Sequence, residues 1–228
     1  MTPRELIGTA EVPGGEPLRL FRRGGDYMIV LERNELMSTR MRGSEVALAE
    51  MTLERLGARP GKRDARLLIG GYGMGFTLRA ALAGLGAGGA VTVAELVPGI
   101  IDWARGPMAE LTAGCLDDPR VRLVMGDVGD AIGERAEAYD GILLDVDNGP
   151  DGLTRLANDR LYTASGLAAA RRALRPGGVL AVWSAGPDPA FAKRMAAAGL
   201  AVEEVAVRAR ENGKGPRHVI WFGTKGRG

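Results

Sequence analysis

A glycine-rich turn between an apolar run and a helical pattern constrains the fold of this chain more than any other stretch. The apolar residues 67–69 end at clustered glycines, and residues 77–82 resume as an Ala- and Leu-rich helical pattern. This order is typical of a βα unit whose turn lets a ligand touch the backbone. Glycine reaches positive φ at little cost and has no Cβ to hold a ligand away. The free N–H groups at the start of the helix then favour a polar or negative ligand group.

The spacing of these glycines narrows the choice of ligand. A dinucleotide fingerprint requires G-x-G-x-x-G, and a P-loop requires Gly-Lys followed by Ser or Thr; this turn has neither. What remains is G-x-G-x-G at Gly71, Gly73 and Gly75. Because the chain holds 35 glycines in 228 residues, the pattern alone is a weak signal. The three glycines could also serve only the close packing of strand and helix.

Composition and charge argue against several functional classes. Thirty Lys and Arg residues against 28 Asp and Glu give a net charge of +2, without the basic stripe of a nucleic-acid-binding protein. One cysteine and one histidine supply no zinc ligand set, so we expect no metal. The chain has no N-terminal apolar segment of the signal-peptide type and no run of about 18 apolar residues, which predicts a cytoplasmic protein without a membrane role.

Residues 1–43 are predicted to form a small N-terminal β-hairpin segment. The β-favouring runs 18–22 and 27–31 flank a short turn that contains Gly24 and Gly25. Such a segment is not stable alone and must pack on the main domain. From Ser44, a predicted N-cap, the pattern becomes helical and ends at Gly57. We therefore predict a second unit, a Rossmann-like domain, over residues 44–228.

From residue 66 onward, short apolar runs alternate with helical patterns. This alternation predicts an α/β fold, in which helices cover both faces of a mostly parallel sheet. Two late β runs, 201–208 and 218–222, predict an antiparallel hairpin at the sheet edge, which makes seven strands. The predicted parallel strands are 66–70, 91–95, 121–125, 141–145 and 179–184. The predicted helices are 76–85, 98–108, 128–136, 165–174 and 189–198.

Acidic residues follow three of these strands, at the edge where open α/β sheets bind ligands. Glu95 ends the second strand about 20 residues beyond the glycine turn, where a carboxylate can accept hydrogen bonds from both ribose hydroxyls. Asp127 follows the third strand, where it can accept from an adenine amino group. Asp145 and Asp147 end the fourth strand, opposite the glycine turn. Glu95 and Asp127 could instead be N-caps of the helices that follow them.

Together these positions resemble the spermidine synthase (polyamine aminopropyltransferase) branch of the class I S-adenosylmethionine-dependent methyltransferase superfamily. Four features align: the family's glycine motif GGGDGG with residues 70–75, its ribose-binding acid with Glu95, its Gly-Asp with residues 126–127, and its catalytic carboxylate with Asp145. The resemblance implies a Rossmann-like methyltransferase fold and a site for S-adenosylmethionine or its decarboxylated form. The residues it assigns to this site are Gly70, Gly71, Tyr72, Gly73, Gly75, Glu95, Leu96, Asp127 and Val128.

The chain departs from this family where the family binds its amine. The aspartate of the family's glycine motif, which helps to hold the amine end of the decarboxylated donor, is Gly73 here. The family's amine-site stretch, D-E-F-x-Y-H-E-M, aligns with residues 44–51, where Leu48 and Ala49 replace its tyrosine and histidine. From the resemblance we assign substrate binding to Glu50 and Asp147. Asp147 is also assigned to catalysis, together with Asp145.

The sequence leaves three functions open. The first is transfer of an aminopropyl or related alkyl group from the sulfonium donor to an amine acceptor, with Asp145 orienting the amine and accepting its proton. The second is small-molecule methyl transfer from S-adenosylmethionine, which Gly73 favours. The third is non-catalytic nucleoside binding, for which the replacements at Leu48 and Ala49 argue. The resemblance further implies a homodimer.

Overall fold

The structure is a computed structural model, and it describes residues 3–57, 64–146 and 159–227. Its strands are β1 (Glu5–Ala10), β2 (Leu18–Arg23), β3 (Asp26–Leu31), β4 (Asn34–Ser38), β5 (Arg66–Gly70), β6 (Ala90–Glu95), β7 (Val121–Met125), β8 (Tyr139–Leu144), β9 (Leu174–Ser184), β10 (Leu200–Arg208) and β11 (Arg217–Lys225). Its α-helices are α1 (Gly43–Arg55), α2 (Phe76–Gly84), α3 (Pro98–Arg105), α4 (Ala109–Thr112), α5 (Val128–Gly133), α6 (Asp159–Tyr162), α7 (Ala164–Ala173) and α8 (Pro189–Ala197).

The main sheet has seven strands in the order β10-β11-β9-β8-β5-β6-β7. Strands β5 to β9 pair in parallel, whereas β11 pairs antiparallel with both β9 and β10. The predicted α/β fold, with a late antiparallel hairpin at the sheet edge, is therefore confirmed. The strand predicted over 179–184 begins earlier than predicted: residues 174–178 also belong to β9, because Leu174 already pairs with Tyr139 across a register shift.

Helices cover the main sheet on both faces, which explains why its central strands are apolar along their whole length. In β5 the four residues after Arg66 are all buried, and in β8 the last four are buried. On one face the core includes residues of α1, α2 and α3. On the other face it includes residues of α5, α7 and α8. The carboxyl ends of β5, β6, β7 and β8 thus meet at one edge of a rigid, two-sided core.

The N-terminal strands form a separate antiparallel sheet in the order β1-β2-β3-β4. The predicted hairpin is its central pair, and β1 and β4 extend it on either side. Buried residues of this sheet, among them Leu20 and Ile29, belong to the same core cluster as α1 and α2. The small sheet is therefore stabilised by packing on the main domain, as a sheet of this size requires. The boundary between residues 43 and 44 stays a prediction.

The start of α1 differs from the prediction at Ser44. The helix begins at Gly43 with Arg42 at the N-cap position, and no side chain caps it. Ser44 is instead inside the first turn and fully buried, and its hydroxyl lies 2.9 Å from His218 Nδ1. Tertiary packing has thus diverted a hydroxyl that the local sequence offered as a cap.

Candidate active site

A cavity of about 290 Å³ lies at the carboxyl ends of the parallel strands, between the main sheet and the N-terminal sheet. Its wall on the N-terminal side is mostly apolar and includes Leu18, Ile29 and Met37. The opposite wall carries the strand ends of the main sheet and their acidic residues. Residues of the main domain that line it are Ser44, Glu45, Gly71, Gly73, Ala94, Glu95, Leu96, Val97, Ile100, Gly126, Asp127, Val128, Asp145, Val146, Trp183, Ala185 and His218.

The glycine turn is held directly against the end of β8. Gly71 has a φ of 81°, and a Cβ on it would lie 2.6 Å from the backbone oxygen of Asp145. A side chain there would therefore collide with backbone that cannot yield. The Asp145 N–H donates to the Gly70 carbonyl at 3.1 Å, and the Gly71 N–H donates to the Ala94 carbonyl at 2.9 Å. These bonds extend the sheet ladder by one residue, and so bring Asp145 to the mouth of the turn.

Glu95 binds the backbone on both sides of the cavity at the carboxyl end of β6. One carboxylate oxygen accepts from the Tyr72 N–H at 2.8 Å, and the other accepts from the Val97 N–H at 2.8 Å. Glu95 is buried, and burial raises its pKa, while backbone N–H donors, those of Val97 and Tyr72 among them, lower it in part. Each carboxylate oxygen can accept more than one hydrogen bond. The residue therefore fixes the turn and can still accept a ligand hydroxyl.

Asp127 is an N-cap, as one of the two sequence interpretations proposed. Its Oδ1 accepts from the Gly129 N–H at 2.7 Å, at the start of α5. Its Oδ2 lies 2.9 Å from a guanidinium nitrogen of Arg160. Asp127 also lines the cavity. The capping role does not exclude ligand binding, because a carboxylate can accept several hydrogen bonds.

Two carboxylates, those of Asp145 and Glu45, approach each other near the middle of the cavity. The Thr77 hydroxyl donates to Asp145 Oδ2 at 3.1 Å and lies 3.4 Å from the backbone carbonyl of Glu45. Burial raises the pKa of Asp145 to about 6, while the Thr77 hydrogen bond lowers it in part. Burial, and then the neighbouring charge of Asp145, hold the pKa of Glu45 well above its usual value. The pair is suited to hold a proton or a cation between two weakly solvated carboxylates.

Aromatic side chains close the cavity beside β9 and β11. The rings of Trp183 and His218 meet edge to face, with their centroids 4.8 Å apart. His218 is buried, and burial lowers its pKa, so the imidazole is neutral at pH 7. Its Nδ1 contacts the Ser44 hydroxyl. His218 thereby connects Trp183 to the first turn of α1, which also carries Glu45.

The charge of the cavity is opposite in sign to that of the whole chain. Among the described residues that line it, none is a lysine or an arginine. Six carboxylates line it, those of Glu16, Glu35, Glu45, Glu95, Asp127 and Asp145. Because the chain carries a net charge of +2, this concentration of acid is a local property of the site. The field at such a site favours cationic ligands.

The predicted site residues fall into four groups, the last of which is Glu50 alone. Those that line the cavity are Gly71, Gly73, Glu95, Leu96, Asp127, Val128 and Asp145. Three residues of the turn do not line the cavity: Gly70, Tyr72 and Gly75. The Tyr72 side chain is buried in the core, with its hydroxyl 3.4 Å from Cys115 Sγ. Asp147 lies outside the described residues.

Glu50, predicted to bind the substrate, does not line the cavity. It is exposed on α1, five positions after Glu45. Five residues turn an α-helix through about 500°, so the two side chains point to different sides. The acid of α1 that lines the cavity is Glu45.

Sequence reasoning missed Glu45, Trp183 and His218 as site residues. Glu45 was part of the aligned amine-site stretch, but in the first turn of a helix an acid is equally explained by the helix dipole. His218 lies in a strand far from the glycine turn, so no local pattern connects it with the site. The sequence contains one usable signal. The single histidine directly precedes four apolar residues, 219–222, and a polar ring in such an apolar strand needs a hydrogen-bond partner.

Other features of the described residues bear on the class of site. No group of three or more His, Cys, Asp or Glu side chains in ranges 3–57, 64–146 and 159–227 is arranged to hold a metal ion. Within the same ranges no helix is long and apolar enough to cross a membrane.

Comparison with known proteins identifies similar sequences over part of the chain. No protein-family model matches it. A segment of 169 residues, 73% of the chain, is 33% identical to the polyamine aminopropyltransferase of Mycobacterium tuberculosis H37Rv and covers 30% of that protein. A segment of 121 residues, 53% of the chain, is 33% identical to the polyamine aminopropyltransferase of Korarchaeum cryptofilum and covers 36% of it. The matches thus span about a third of these relatives.

Solved structures match over nearly the whole chain. Spermidine synthase from Thermotoga maritima superimposes with a TM-score of 0.74 over 98% of this chain and 74% of that protein, at 17% identity. A spermidine synthase in complex with the transition state analogue AdoDATO matches with a TM-score of 0.73 at 17% identity, over 98% of this chain and 73% of that one. Because the identity is only 17%, these structural matches establish the fold alone.

The fold and the glycine turn define the class: this is a protein with the class I methyltransferase fold, as predicted. Within that class, the chain is similar to polyamine aminopropyltransferases in sequence and to spermidine synthases in fold. The sequence matches to polyamine aminopropyltransferases and the structural matches to spermidine synthases agree on this. The resemblance recognised from the sequence is therefore confirmed.

Proposed function

We propose that this protein is an aminopropyltransferase that uses decarboxylated S-adenosylmethionine as its donor and an amine as its acceptor. The observation that carries the proposal is the acidic cavity at the strand ends, with no lysine or arginine among its described lining residues. The decarboxylated donor carries two positive charges, on its sulfonium and its ammonium. S-adenosylmethionine carries a carboxylate as well, for which these lining residues offer no cationic side chain.

The nucleoside end of the donor fits the residues on β5, β6 and β7. Gly71 and Gly73 let a ligand approach the backbone of the turn. Glu95 is buried and held by two backbone N–H groups, so it is preorganised to accept from the ribose hydroxyls. Asp127 is fixed by its cap bond and its ion pair beside the adenine end. This arrangement supports an adenosyl ligand before any acceptor is considered.

Asp145 is the residue we assign to the transfer step. The nitrogen lone pair of the acceptor attacks the donor carbon next to sulfur. As the new C–N bond forms, the C–S bond breaks, and its electron pair leaves with sulfur as the neutral thioether methylthioadenosine. The nitrogen, now positively charged, releases a proton to the Asp145 carboxylate. A pKa raised to about 6 suits this carboxyl group for accepting a proton near neutral pH.

A second candidate function, methyl transfer from S-adenosylmethionine, is favoured by one specific observation. Where the resembling family has an aspartate, this chain has Gly73, and the apolar side chain of Met37 lies against it. This part of the cavity therefore lacks the carboxylate that would bind a donor ammonium. In both functions the donor is a sulfonium compound, and the acceptor is a nucleophile that binds beside Asp145.

Thermal unfolding of the purified protein separates these functions. A ligand bound only by the folded state raises the melting temperature by mass action. We expect the greatest stabilisation from decarboxylated S-adenosylmethionine, followed by methylthioadenosine. Greater stabilisation by S-adenosylmethionine would support methyl transfer. Stabilisation by none of the three compounds would contradict both functions. Stabilisation without transfer to any amine, with the products monitored by mass spectrometry, would support a nucleoside-binding protein without catalytic activity.

A further inference from the structure

The end of the cavity beyond Asp145 is built from elements that the nucleoside end does not use. Asp145 follows β8, Trp183 lies on β9 and His218 lies on β11. In the sheet order these strands lie on the opposite side of β5 from β6 and β7, which carry Glu95 and lead to Asp127. Glu45 joins this end from the first turn of α1. We call these three residues, Glu45, Trp183 and His218, the acceptor end.

Two buried polar atoms of the acceptor end have no hydrogen-bond partner. Within the described residues, Glu45 Oε2 and Trp183 Nε1 are the buried side-chain atoms that lack one. Glu45 is 6% exposed and Trp183 is 8% exposed, and both line the cavity. Such atoms are rare because each costs folding free energy. One of the two can only accept a hydrogen bond when ionised, and the other can only donate.

We infer that Glu45 and Trp183 bind an acceptor that carries an amino group together with an uncharged oxygen, as an amino alcohol does. The inference rests on the proposed amine transfer and names the acceptor class. The acceptor enters in its ammonium form, which donates to Glu45 Oε2, while its oxygen accepts from Trp183 Nε1. Transfer of that proton to the Glu45 carboxylate frees the nitrogen lone pair that attacks the donor carbon, and the second proton, released after the C–N bond forms, goes to Asp145. A plain diamine, protonated at both ends, has no lone pair to offer the indole N–H. The two unpartnered atoms are thus satisfied by one molecule of mixed polarity.

The two binding groups are held as one unit by His218. The His218 ring packs edge to face on Trp183, and its Nδ1 lies 2.9 Å from the hydroxyl of Ser44, the residue before Glu45. His218 is buried and neutral, so it adds no positive charge that would repel an ammonium. We assign it a positioning role, in which it orients the indole relative to the start of α1.

Calorimetric titration of the full chain with three four-carbon amines tests this inference: 4-amino-1-butanol, n-butylamine and 1,4-diaminobutane, each in the presence of methylthioadenosine. We expect the amino alcohol to bind about tenfold more tightly than butylamine, since one hydrogen bond to a buried donor is satisfied. Trp183→Phe should abolish this difference and leave butylamine binding unchanged. In two buffers of different ionisation enthalpy, binding should release protons, because burial raises the pKa of Glu45 and the bound ammonium lowers it again.

Glu45→Gln and Glu50→Gln form a matched pair on one helix. Glu45→Gln should weaken the binding of all three amines and abolish proton release. Glu50→Gln, at an exposed position, should change neither the affinities nor the proton release. The inference is overturned if 1,4-diaminobutane binds most tightly and Trp183→Phe has no effect, or if Glu45→Gln binds as the parent does. Failure of the proposed function is seen separately, as absence of stabilisation by any adenosyl compound. The amines can then be titrated without nucleoside, which still tests the acceptor end.

Discussion

Met37 Cε lies 2.6 Å from the position that a Cβ on Gly73 would occupy, and Met37 Sδ lies 2.8 Å from it. The thioether therefore fills the space into which a side chain at residue 73 would point. Gly73 has a φ of 55°, a left-handed conformation that Asp adopts more readily than most residues. Both residues line the cavity, so this contact between β4 and the glycine turn makes the cavity wall beside residue 73 apolar.

Gly73→Asp combined with Met37→Ala should raise the preference for decarboxylated S-adenosylmethionine over S-adenosylmethionine by about tenfold. The added carboxylate repels the donor carboxylate, at a cost on the order of 1 kcal/mol for partly solvated charges. The measurement is the ratio of the two dissociation constants by calorimetry. Met37→Ala alone should leave the ratio unchanged. An unchanged ratio in the double variant would show that residue 73 does not face the donor tail.

Asp145→Asn should lower the rate of group transfer by about a hundredfold or more, the usual contribution of a positioned proton acceptor. Asparagine keeps the size of the side chain and the Thr77 contact but cannot take the proton. Single-turnover transfer with saturating donor measures the effect. Asp140→Asn, at a distant position whose carboxylate pairs with Arg175, is the control and should retain the parent rate. An undiminished rate in Asp145→Asn would remove this residue from the proposed chemistry.

The same variant should change the pH dependence of stability. The folded-state pKa of Asp145, about 6, lies above the ordinary value of 3.8, so the folded protein binds more protons between these limits. The free energy of unfolding therefore falls as the pH rises from about 4 to about 6, and it stays lower above that range. Asp145→Asn lacks this loss, and we expect it to be more stable than the parent at pH 7.

Denaturant unfolding of both proteins from pH 4 to pH 8 measures this difference. His218, whose pKa burial lowers, contributes a slope of opposite sign, because its stabilising effect is lost as the pH falls. It is present in both proteins, so the difference between the two curves isolates Asp145 and its coupling to Glu45. Parallel curves would contradict the assigned pKa shift.

Glu95→Gln should weaken binding of methylthioadenosine by at least about tenfold and also lower the melting temperature. The carboxylate accepts from the backbone N–H groups of Tyr72 and Val97. An amide has one oxygen, so one of these N–H groups would face an NH₂ donor and lose its bond. Thermal shift with and without ligand separates the two effects. Glu110→Gln, on the exposed side of α4, should alter neither quantity.

Asp127 allows capping to be separated from ligand binding. Asp127→Ala removes the acceptor for the Gly129 N–H and should cost about 1 kcal/mol of stability. Asp127→Asn keeps an acceptor oxygen and should be nearly as stable as the parent, since Asn is an equally good N-cap. If Asp127 contacts the nucleoside amino group, both variants bind methylthioadenosine more weakly. Unchanged affinity in Asp127→Asn would leave Asp127 as a cap alone.

That Gly71, Gly73, Glu95 and Asp127 lie together at one edge of the sheet could be predicted because the signals are local. The glycines, Glu95 and Asp127 each lie within a few residues of a strand end, and parallel strands place their carboxyl ends at one edge. The acceptor end could not be predicted in this way. Ser44 and His218 are 174 positions apart, and no local pattern states that the start of α1 packs beside β11. Glu50, chosen by alignment with the resembling family, points away because the helix turns.

What the sequence by itself determined is the order of strands and helices, the positive-φ turn at its centre and the resemblance to the spermidine synthase group. These follow from periodicity, from backbone preferences and from motif spacing, all of which act over a few residues. The tertiary structure alone decided which acids share the cavity, that Met37 occupies the space beside Gly73, and that the charge of Asp145 raises the pKa of Glu45. Burial and the approach of groups distant in sequence create these properties, since desolvation and Coulomb interactions depend on distances in space.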